Sequence, residues 1–356
     1  MRSNSCARKS ANFLRPDERE RRDLKGSVNV AVIGAGYWGK KVIREYLQLS
    51  RSDPKVILSM VCDLKDENLR YCSEAFHIPE KKLNMDYKQA LSSSGVDAVH
   101  ICTPNETHHQ ICKEALSADK HVLLEKPMAL HARHSWELVG IAESRGLILQ
   151  VGHIFRFNNA LRMMRDLIAQ NYLGDLYYLK LQWTTLMPSP LDRDIIFDLG
   201  PHPVDIVNYL LRKWPIKVSC RARAYRRKLL EELAYVTMEF DGKLMAHIEL
   251  SWLQPGKVRQ AIIIGSERSA SVDCLNQSIG IYENGDGDRF NLDVTRNNTI
   301  LDEVSHFVES TLEGKNSNNL GSVGAKNVAI LESLKRSFEE ERTVNIDLGS
   351  ENERIV

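Results

Sequence analysis

Residues 29–39 read NVAVIGAGYWG, and this stretch decides the fold. Four strand-forming residues, Val30, Ala31, Val32 and Ile33, run straight into Gly34, Gly36 and Gly39, and residues 40–49 then carry a helical pattern. A GxGxxG run between a strand and a helix is the fingerprint of a dinucleotide fold. The first glycine makes the tight turn, the second lets the backbone approach a pyrophosphate, and the third lets helix and strand pack closely. The helix N-terminus adds unpaired N–H groups and partial positive charge for the phosphates. Glycine turns alone are common, so the second strand is the test. Residues 56–62 form it and end in Asp63, where an acid is needed to bind the adenosine ribose hydroxyls.

Outward from this unit, residues 28–152 alternate strand and helix, which predicts right-handed parallel βαβ units. Helices are expected at 67–76, 87–92, 107–117 and 136–145, and strands at 98–102, 121–124 and 147–151. The strand at 98–102 ends in Thr103, Pro104 and Asn105, and that at 121–124 ends in Glu125, Lys126 and Pro127. Both endings fall at the carboxyl edge of the sheet, where open α/β folds bind ligands. Beyond Gly152 the pattern changes. Strands at 176–185, 217–226, 233–240, 243–253, 260–264 and 269–274 predict a mostly antiparallel sheet, with Asp241-Gly242 as a hairpin turn. Helices are expected at 160–168, 203–211, 301–312 and 325–341, and loops at 284–298 and 316–324. The fold class is thus an α/β Rossmann domain (28–152) followed by an α+β domain (153–356), whose last helix can pack back on the first.

At 356 residues the chain suits two domains, and its 43% hydrophobic and 27% charged content is that of an ordinary globular protein. A net charge of +1 gives no global field for nucleic acid. Seven cysteines lack CxxC spacing, and those at Cys62 and Cys102 sit in apolar runs, so buried thiols in a reducing cytoplasm are expected. No apolar run reaches the length of a membrane span. Residues 1–27 are rich in arginine with acids interspersed and are expected to form a mobile tail rather than a transit peptide. His108-His109 and His131 with His134 lack a carboxylate or cysteine to complete a metal site, so no metal is expected.

Four motifs in order, GAGYWG (34–39), TPNETH (103–108), EKP (125–127) and DLGPH (198–202), resemble the Gfo/Idh/MocA oxidoreductases. The resemblance implies a Rossmann domain plus an antiparallel sheet, NAD(P)-dependent oxidation of a sugar or cyclitol hydroxyl, and a homodimer or homotetramer. It makes Lys126 the catalytic lysine and Asp198 with His202 the aspartate–histidine pair. GYWG, VGHIFRFNNA (151–160) and RDIIFDLGPH (193–202) look closest to the branch oxidising carbon 3 of a UDP-N-acetylhexosamine or its uronic acid. That branch feeds aminotransferases of surface-polysaccharide or glycolipid synthesis. Phe155 departs from it, standing where an acid is common, which leaves the sugar open. Free-sugar or inositol oxidation, and ligand sensing without catalysis, are the alternatives; the intact Lys126, Asp198 and His202 speak against the sensor.

Oxidising a secondary alcohol needs a base for the hydroxyl proton and a donor for the developing oxyanion. His202 has the unperturbed pKa for the base. Asp198, four residues earlier, is close enough to orient it if that turn is helical. Lys126 is expected to donate to the reacting hydroxyl; which of Lys126 and His202 takes the proton stays open. A helix-start histidine and a solvated lysine would look the same singly. Cofactor contacts are expected from Gly34, Gly36, Tyr37, Trp38, Gly39, Asp63, Thr103, Pro104, Asn105, His108, Glu125 and Lys126. Asp63 selects NAD over NADP, because a carboxylate repels a 2′-phosphate. Arg156, Asn158, Asn159 and Arg193 are the candidate substrate contacts, since a diphosphate takes arginine forks and amide donors.

Overall fold

The computed structural model describes residues 26–188, 193–226, 228, 230–283, 289–315 and 318–349. The expected tail therefore lies almost wholly outside the described residues. Strands β1 (Val28–Ile33), β2 (Val56–Cys62), β3 (Leu83–Asn84), β4 (Ala98–Ile101), β5 (His121–Leu124) and β6 (Leu149–Val151) form a six-stranded sheet in the order β3-β2-β1-β4-β5-β6. Every pair in it is parallel. Central strands such as β1 and β4 are buried almost end to end, as expected when helices cover both faces. Those helices include α1 (Tyr37–Ser52), α2 (Asp66–Phe76), α3 (Lys88–Ser92), α4 (His108–Ser117) and α5 (Ala132–Arg145). Strand order reverses between β1 and β4, which opens a crevice at the carboxyl edge.

A second sheet of nine strands follows. Its members are β7 (Leu176–Thr185), β8 (Lys217–Arg223), β9 (Leu233–Glu239), β10 (Met245–Ser251), β11 (Lys257–Gly265), β12 (Arg268–Asp273), β13 (Ser278–Glu283), β14 (Arg289–Leu292) and β15 (Val344–Asn345). Their order is β14-β13-β12-β11-β7-β10-β9-β8-β15. The sheet is antiparallel except for the β7–β10 pair. Side chains alternate along β8, β9 and β10, and one face packs on α6 (Asn159–Ala169), α7 (Ile195–Leu199), α8 (Pro201–Leu211) and α10 (Gly321–Glu339). Helix α9 (Thr299–Glu313) lies against α1.

Several elements differ from expectation. Strands β3, β13 and β15 were not foreseen, and β14 falls within the stretch expected as loop 284–298. Gly280 interrupts the apolar run of β13 because a Cβ there would meet Arg289 Nε at 3.1 Å. Helix α5 starts at Ala132, about one turn before the expected Trp136. Helix α10 starts at Gly321, inside the expected loop 316–324. Its glycines are contact residues: a Cβ at Gly321 would come within 2.9 Å of Leu149, and one at Gly324 within 2.5 Å of Val151. Thus α10 lies tight on β6, and it also packs on α5. All six cysteines among the described residues are free thiols. No helix there is long and apolar enough to cross a membrane.

Candidate active site

The β1–α1 turn carries out the work expected of its glycines. Gly34 has φ +97°, and a Cβ on it would sit 2.6 Å from the Cys102 carbonyl oxygen. Gly39 lies so close to the turn that a Cβ would fall 1.9 Å from Gly34 O. Gly36, the N-cap of α1, is different: nothing lies within 4 Å of where its Cβ would be. That open surface at a helix N-terminus fits a pyrophosphate. Asp63 braces the same turn, accepting from Ala35 N at 2.7 Å and Lys65 N at 2.8 Å. An ionised carboxylate has about four acceptor positions, so ribose hydroxyls can still be met. Tyr37 is 80% exposed, with Lys41 Nζ donating to its hydroxyl.

The TPN and EKP turns are tied together from below. Thr107 Oγ1 donates to Thr103 Oγ1 at 2.7 Å. His108 is fully buried, with Nδ1 2.8 Å from Pro127 O and Nε2 2.9 Å from Thr103 O. Both nitrogens face carbonyl oxygens of the protein, one of which accepts from the neutral ring, so His108 is a brace between the two turns rather than a cofactor contact. Pro104 and Asn105 open the short helical turn beyond β4. Glu125 is also turned inward, accepting from the Trp38 indole and facing His100 Nε2 at 3.3 Å. Trp38 therefore holds Glu125 in place instead of facing a ligand with its N–H.

Lys126, at the end of β5, reaches across to the second domain. Its Nζ donates to the backbone carbonyl of Asp198 at 2.9 Å. Burial lowers its pKa below the ordinary lysine value, against the opposing pull of Asp198 and Glu125. His202 lies one turn beyond Asp198, and Asp198 N bonds Asp194 O while Val204 N bonds Gly200 O, so the junction is nearly continuous helix. The expected Asp198–His202 bond is not formed. The Asp198 carboxylate instead lies 3.5 Å from Arg193 Nε, and His202 Nδ1 has no hydrogen-bond partner among the described residues. The reason is directional: the Asp198 end of α7 faces Lys126, Arg193 and Arg259. His202 packs edge-on against Phe155, ring centroids 5.1 Å apart, and Phe155 in turn against Trp183 at 5.0 Å. Burial, then the charges of Lys126, His153, Arg259 and Lys257, hold His202 well below its ordinary pKa. It is a neutral imidazole near pH 7, able to accept a proton.

Residues 28–153 match the model of the oxidoreductase family with an NAD-binding Rossmann fold, and 161–271 match the GFO/IDH/MocA C-terminal domain. The chain belongs to the Gfo/Idh/MocA oxidoreductases. Within the family, UDP-N-acetylglucosamine 3-dehydrogenase of Acidithiobacillus ferrooxidans is 29% identical over 73% of this chain and 78% of its own length. The solved structure of that enzyme superposes with TM-score 0.78 at 25% identity, covering 88% of this chain and 98% of the other. Myo-inositol 2-dehydrogenase of Thermotoga maritima is 22% identical over 90% of this chain and 99% of its own. A levoglucosan dehydrogenase in complex with NADH shares the fold, with TM-score 0.82 at 16% identity over 90% of this chain and 99% of that one. Family members are sugar dehydrogenases and oxidoreductases, and this chain is an NAD-binding oxidoreductase of that kind.

Three of the candidate substrate contacts are engaged within the protein. Arg156 is buried and forks onto Asp205, with Nε 2.9 Å from Oδ1 and Nη2 2.7 Å from the same oxygen; its Nη2 also donates to Asn208 Oδ1. Asn158 caps α6 by accepting from Leu161 N, and it donates to Cys274 O. Asn159 donates to Thr295 O and accepts from Arg162. A guanidinium or amide reads as a ligand contact only when its neighbours in space are unknown. Arg193 remains beside Asp198 at the site.

Sequence reasoning missed four residues here. Arg259 reaches over the Trp183 ring and donates to Thr184 O. His153 is buried, with Nδ1 3.9 Å from Asp205 Oδ2. Glu303, fully buried in α9, has neither carboxylate oxygen hydrogen-bonded among the described residues, and burial followed by Glu125 and Asp205 holds its pKa well above its ordinary value. His100 is brought near Cys102 and Glu125, all within 4.8 Å. There Glu125 already accepts from Trp38, and burial keeps the Cys102 thiol protonated, so the group reads as a polar core cluster. Only His153 had a visible signal, as a polar residue following an apolar strand in VGHIFRF.

Proposed function

We propose that the protein oxidises the carbon-3 hydroxyl of a UDP-N-acetylhexosamine, such as UDP-N-acetylglucosamine, to the 3-keto nucleotide sugar. The observation that carries the chemistry is the 2.9 Å contact of Lys126 Nζ with the Asp198 carbonyl, one turn before a half-buried His202 whose pKa is held well below the ordinary value. The substrate reading draws support from the 29%-identical UDP-N-acetylglucosamine 3-dehydrogenase. The RDII run before Asp198, in place of a glycine-rich one, points the same way.

Bound NAD supplies the hydride acceptor. Gly36 and the α1 N-terminus would hold its pyrophosphate, Asp63 its adenosine ribose, and the TPN edge its nicotinamide side. His202 takes the hydroxyl proton, and Lys126 donates a hydrogen bond to the oxygen as negative charge grows there. With NAD bound there to take the carbinol hydride, the chain's own part would be the hydroxyl proton, taken by His202, and the charge on the oxygen, met by Lys126. The half-buried setting of both groups strengthens these interactions relative to bulk water. Asp63 favours NAD over NADP. We also propose a homodimer or homotetramer, since the nine-stranded sheet presents exposed Tyr178 and Tyr235; light scattering tests it.

The test is reduced-nicotinamide absorbance with NAD and a panel of UDP-N-acetylglucosamine, its uronic acid, UDP-glucose, glucose and myo-inositol. A coupled aminotransferase removes the ketone. Turnover of a UDP-N-acetyl sugar, reduced about 100-fold or more in Lys126→Ala and His202→Ala, is the expected result. Turnover of free sugars or inositol alone overturns the substrate and keeps the chemistry. Tight NAD binding with no turnover makes the chain a sensor.

A further inference from the structure

Helix α10 makes contacts along two adjoining stripes. Asn327, Leu331 and Lys335 stand four residues apart and share one face, while Gly324 and Glu332 lie on the neighbouring one. The second stripe lies on the first domain. A Cβ at Gly324 would meet Val151 at 2.5 Å and Met128 Sδ at 3.1 Å. The Glu332 carboxylate accepts from Ala132 N at 2.9 Å and lies 3.0 Å from His131 Nδ1, at the start of α5. The first stripe grips the segment 194–202. Lys335 Nζ donates to Asp194 Oδ2 at 2.9 Å, and the other Asp194 oxygen caps α7 by accepting from Phe197 N at 3.0 Å. Leu331 is fully buried, and a Cβ on Gly200 would come within 3.2 Å of its Cδ2. Asn327, 1% exposed, donates to Pro201 O at 3.0 Å, one residue before His202.

Helix α10 is thus tied at once to the domain that carries Lys126 and to the segment that carries Asp198 and His202. We propose that α10 is the strut that sets Asp198 and His202 against Lys126, with Lys335 and Asn327 as its positioning residues. They act through the backbone. Lys335 holds the Asp194 cap, the cap fixes the start of the five-residue α7, and the Asp198 carbonyl in that helix accepts from Lys126 Nζ at 2.9 Å. So short a helix has too few bonds of its own to keep a position. Pro201 and Pro203, on either side of His202, supply no N–H to the next turn. Anchors for this segment therefore come from outside it, and α10 supplies them at both ends. A displacement of about 1 Å at reacting groups costs about 100-fold in rate. The proposal rests on Lys126 and His202 being the reacting pair of the proposed function.

The experiment uses the full chain with NAD and with lysine carbon-labelled at Cε, the Lys126 signal being assigned with Lys126→Met. Its shift against pH gives the titration midpoint of Lys126, whatever the sugar. In Lys335→Met the Asp198 carbonyl is no longer held against Lys126, so the ammonium loses an acceptor and the midpoint falls by about half a unit or more. Loss of a positive charge alone would raise the midpoint, so the direction separates displacement from electrostatics. Lys335→Arg keeps the pair with Asp194 and returns the midpoint to within about 0.2 unit of the parent. In Lys335→Met and in Asn327→Leu, kcat falls about tenfold while KM for NAD stays within about twofold. A midpoint that stays or rises in a folded Lys335→Met overturns the proposal, and Lys335→Gln gives the same reading where Lys335→Met does not fold. A fallen midpoint in a chain that oxidises no panel sugar supports the strut and defeats only the proposed function.

Discussion

Lys126 Nζ donates to the carbonyl oxygen of Asp198, not to its carboxylate, at 2.9 Å. Position and charge are therefore separable at this residue. Asp198→Asn keeps the acceptor that places Lys126 but removes a negative charge that raises the lysine's pKa against burial. If Lys126 must be protonated to donate, activity is lost as pH rises through its lowered pKa. The alkaline limb of kcat in Asp198→Asn should move to lower pH, followed by rates from about pH 6 to 10. The acid limb belongs to His202, which must be neutral, and it should stay well below the ordinary histidine value. A limb that stays where it is in Asp198→Asn would show that the carboxylate does not act on Lys126.

Gly36 and Gly39 should separate binding from folding. With open space at the Cβ position and φ −71°, Gly36→Ala should leave the melting temperature unchanged. It should weaken NAD binding about tenfold or more by obstructing the pyrophosphate approach, as measured by calorimetric titration. Gly39→Ala places a methyl 1.9 Å from Gly34 O and should cost stability outright, by about 1–3 kcal/mol.

Glu303→Gln should stabilise the protein increasingly as pH rises. The folded pKa of Glu303 lies above its unfolded value, so its contribution is fully present below the unfolded carboxylate pKa and is lost as pH climbs toward the folded one. Glutamine cannot ionise and removes that loss. Urea unfolding at about pH 5 and 8 should show the variant's advantage growing with pH, by at most about 1.4 kcal/mol per unit. An advantage independent of pH would mean that Glu303 is already ionised in the folded chain.

Arg156→Ala should unfold more readily by about 3–5 kcal/mol, because Asp205 is left as an uncompensated buried charge. Arg156→Lys should restore little, since an ammonium cannot reproduce the fork. Denaturant midpoints check this. Unchanged stability with a raised KM would return Arg156 to the substrate.

Much of this architecture was legible because its signals are local. Gly34, Gly36 and Gly39 follow a four-residue apolar run, and the turn they make needs only neighbours in the chain plus one close strand. The strand endings at Thr103 and Lys126 were readable for the same reason, as period and punctuation along a single element. Gly321 and Gly324 misled because a contact glycine and a loop glycine look alike in sequence. Only the crossing of α10 over β6 tells them apart.

Sequence by itself determined the βαβ fingerprint, the sheet class of each half, and the residue types able to move a proton and a hydride. Tertiary structure decided which of those residues face one another. Arg156 was withdrawn into a pair with Asp205, 49 positions away, Asp198 turned to Arg193, and His153 came within 3.9 Å of Asp205. The physical reason is that burial and partner choice arise from contacts between distant segments. A hydrogen bond across such a distance leaves no period in the chain from which it could be read.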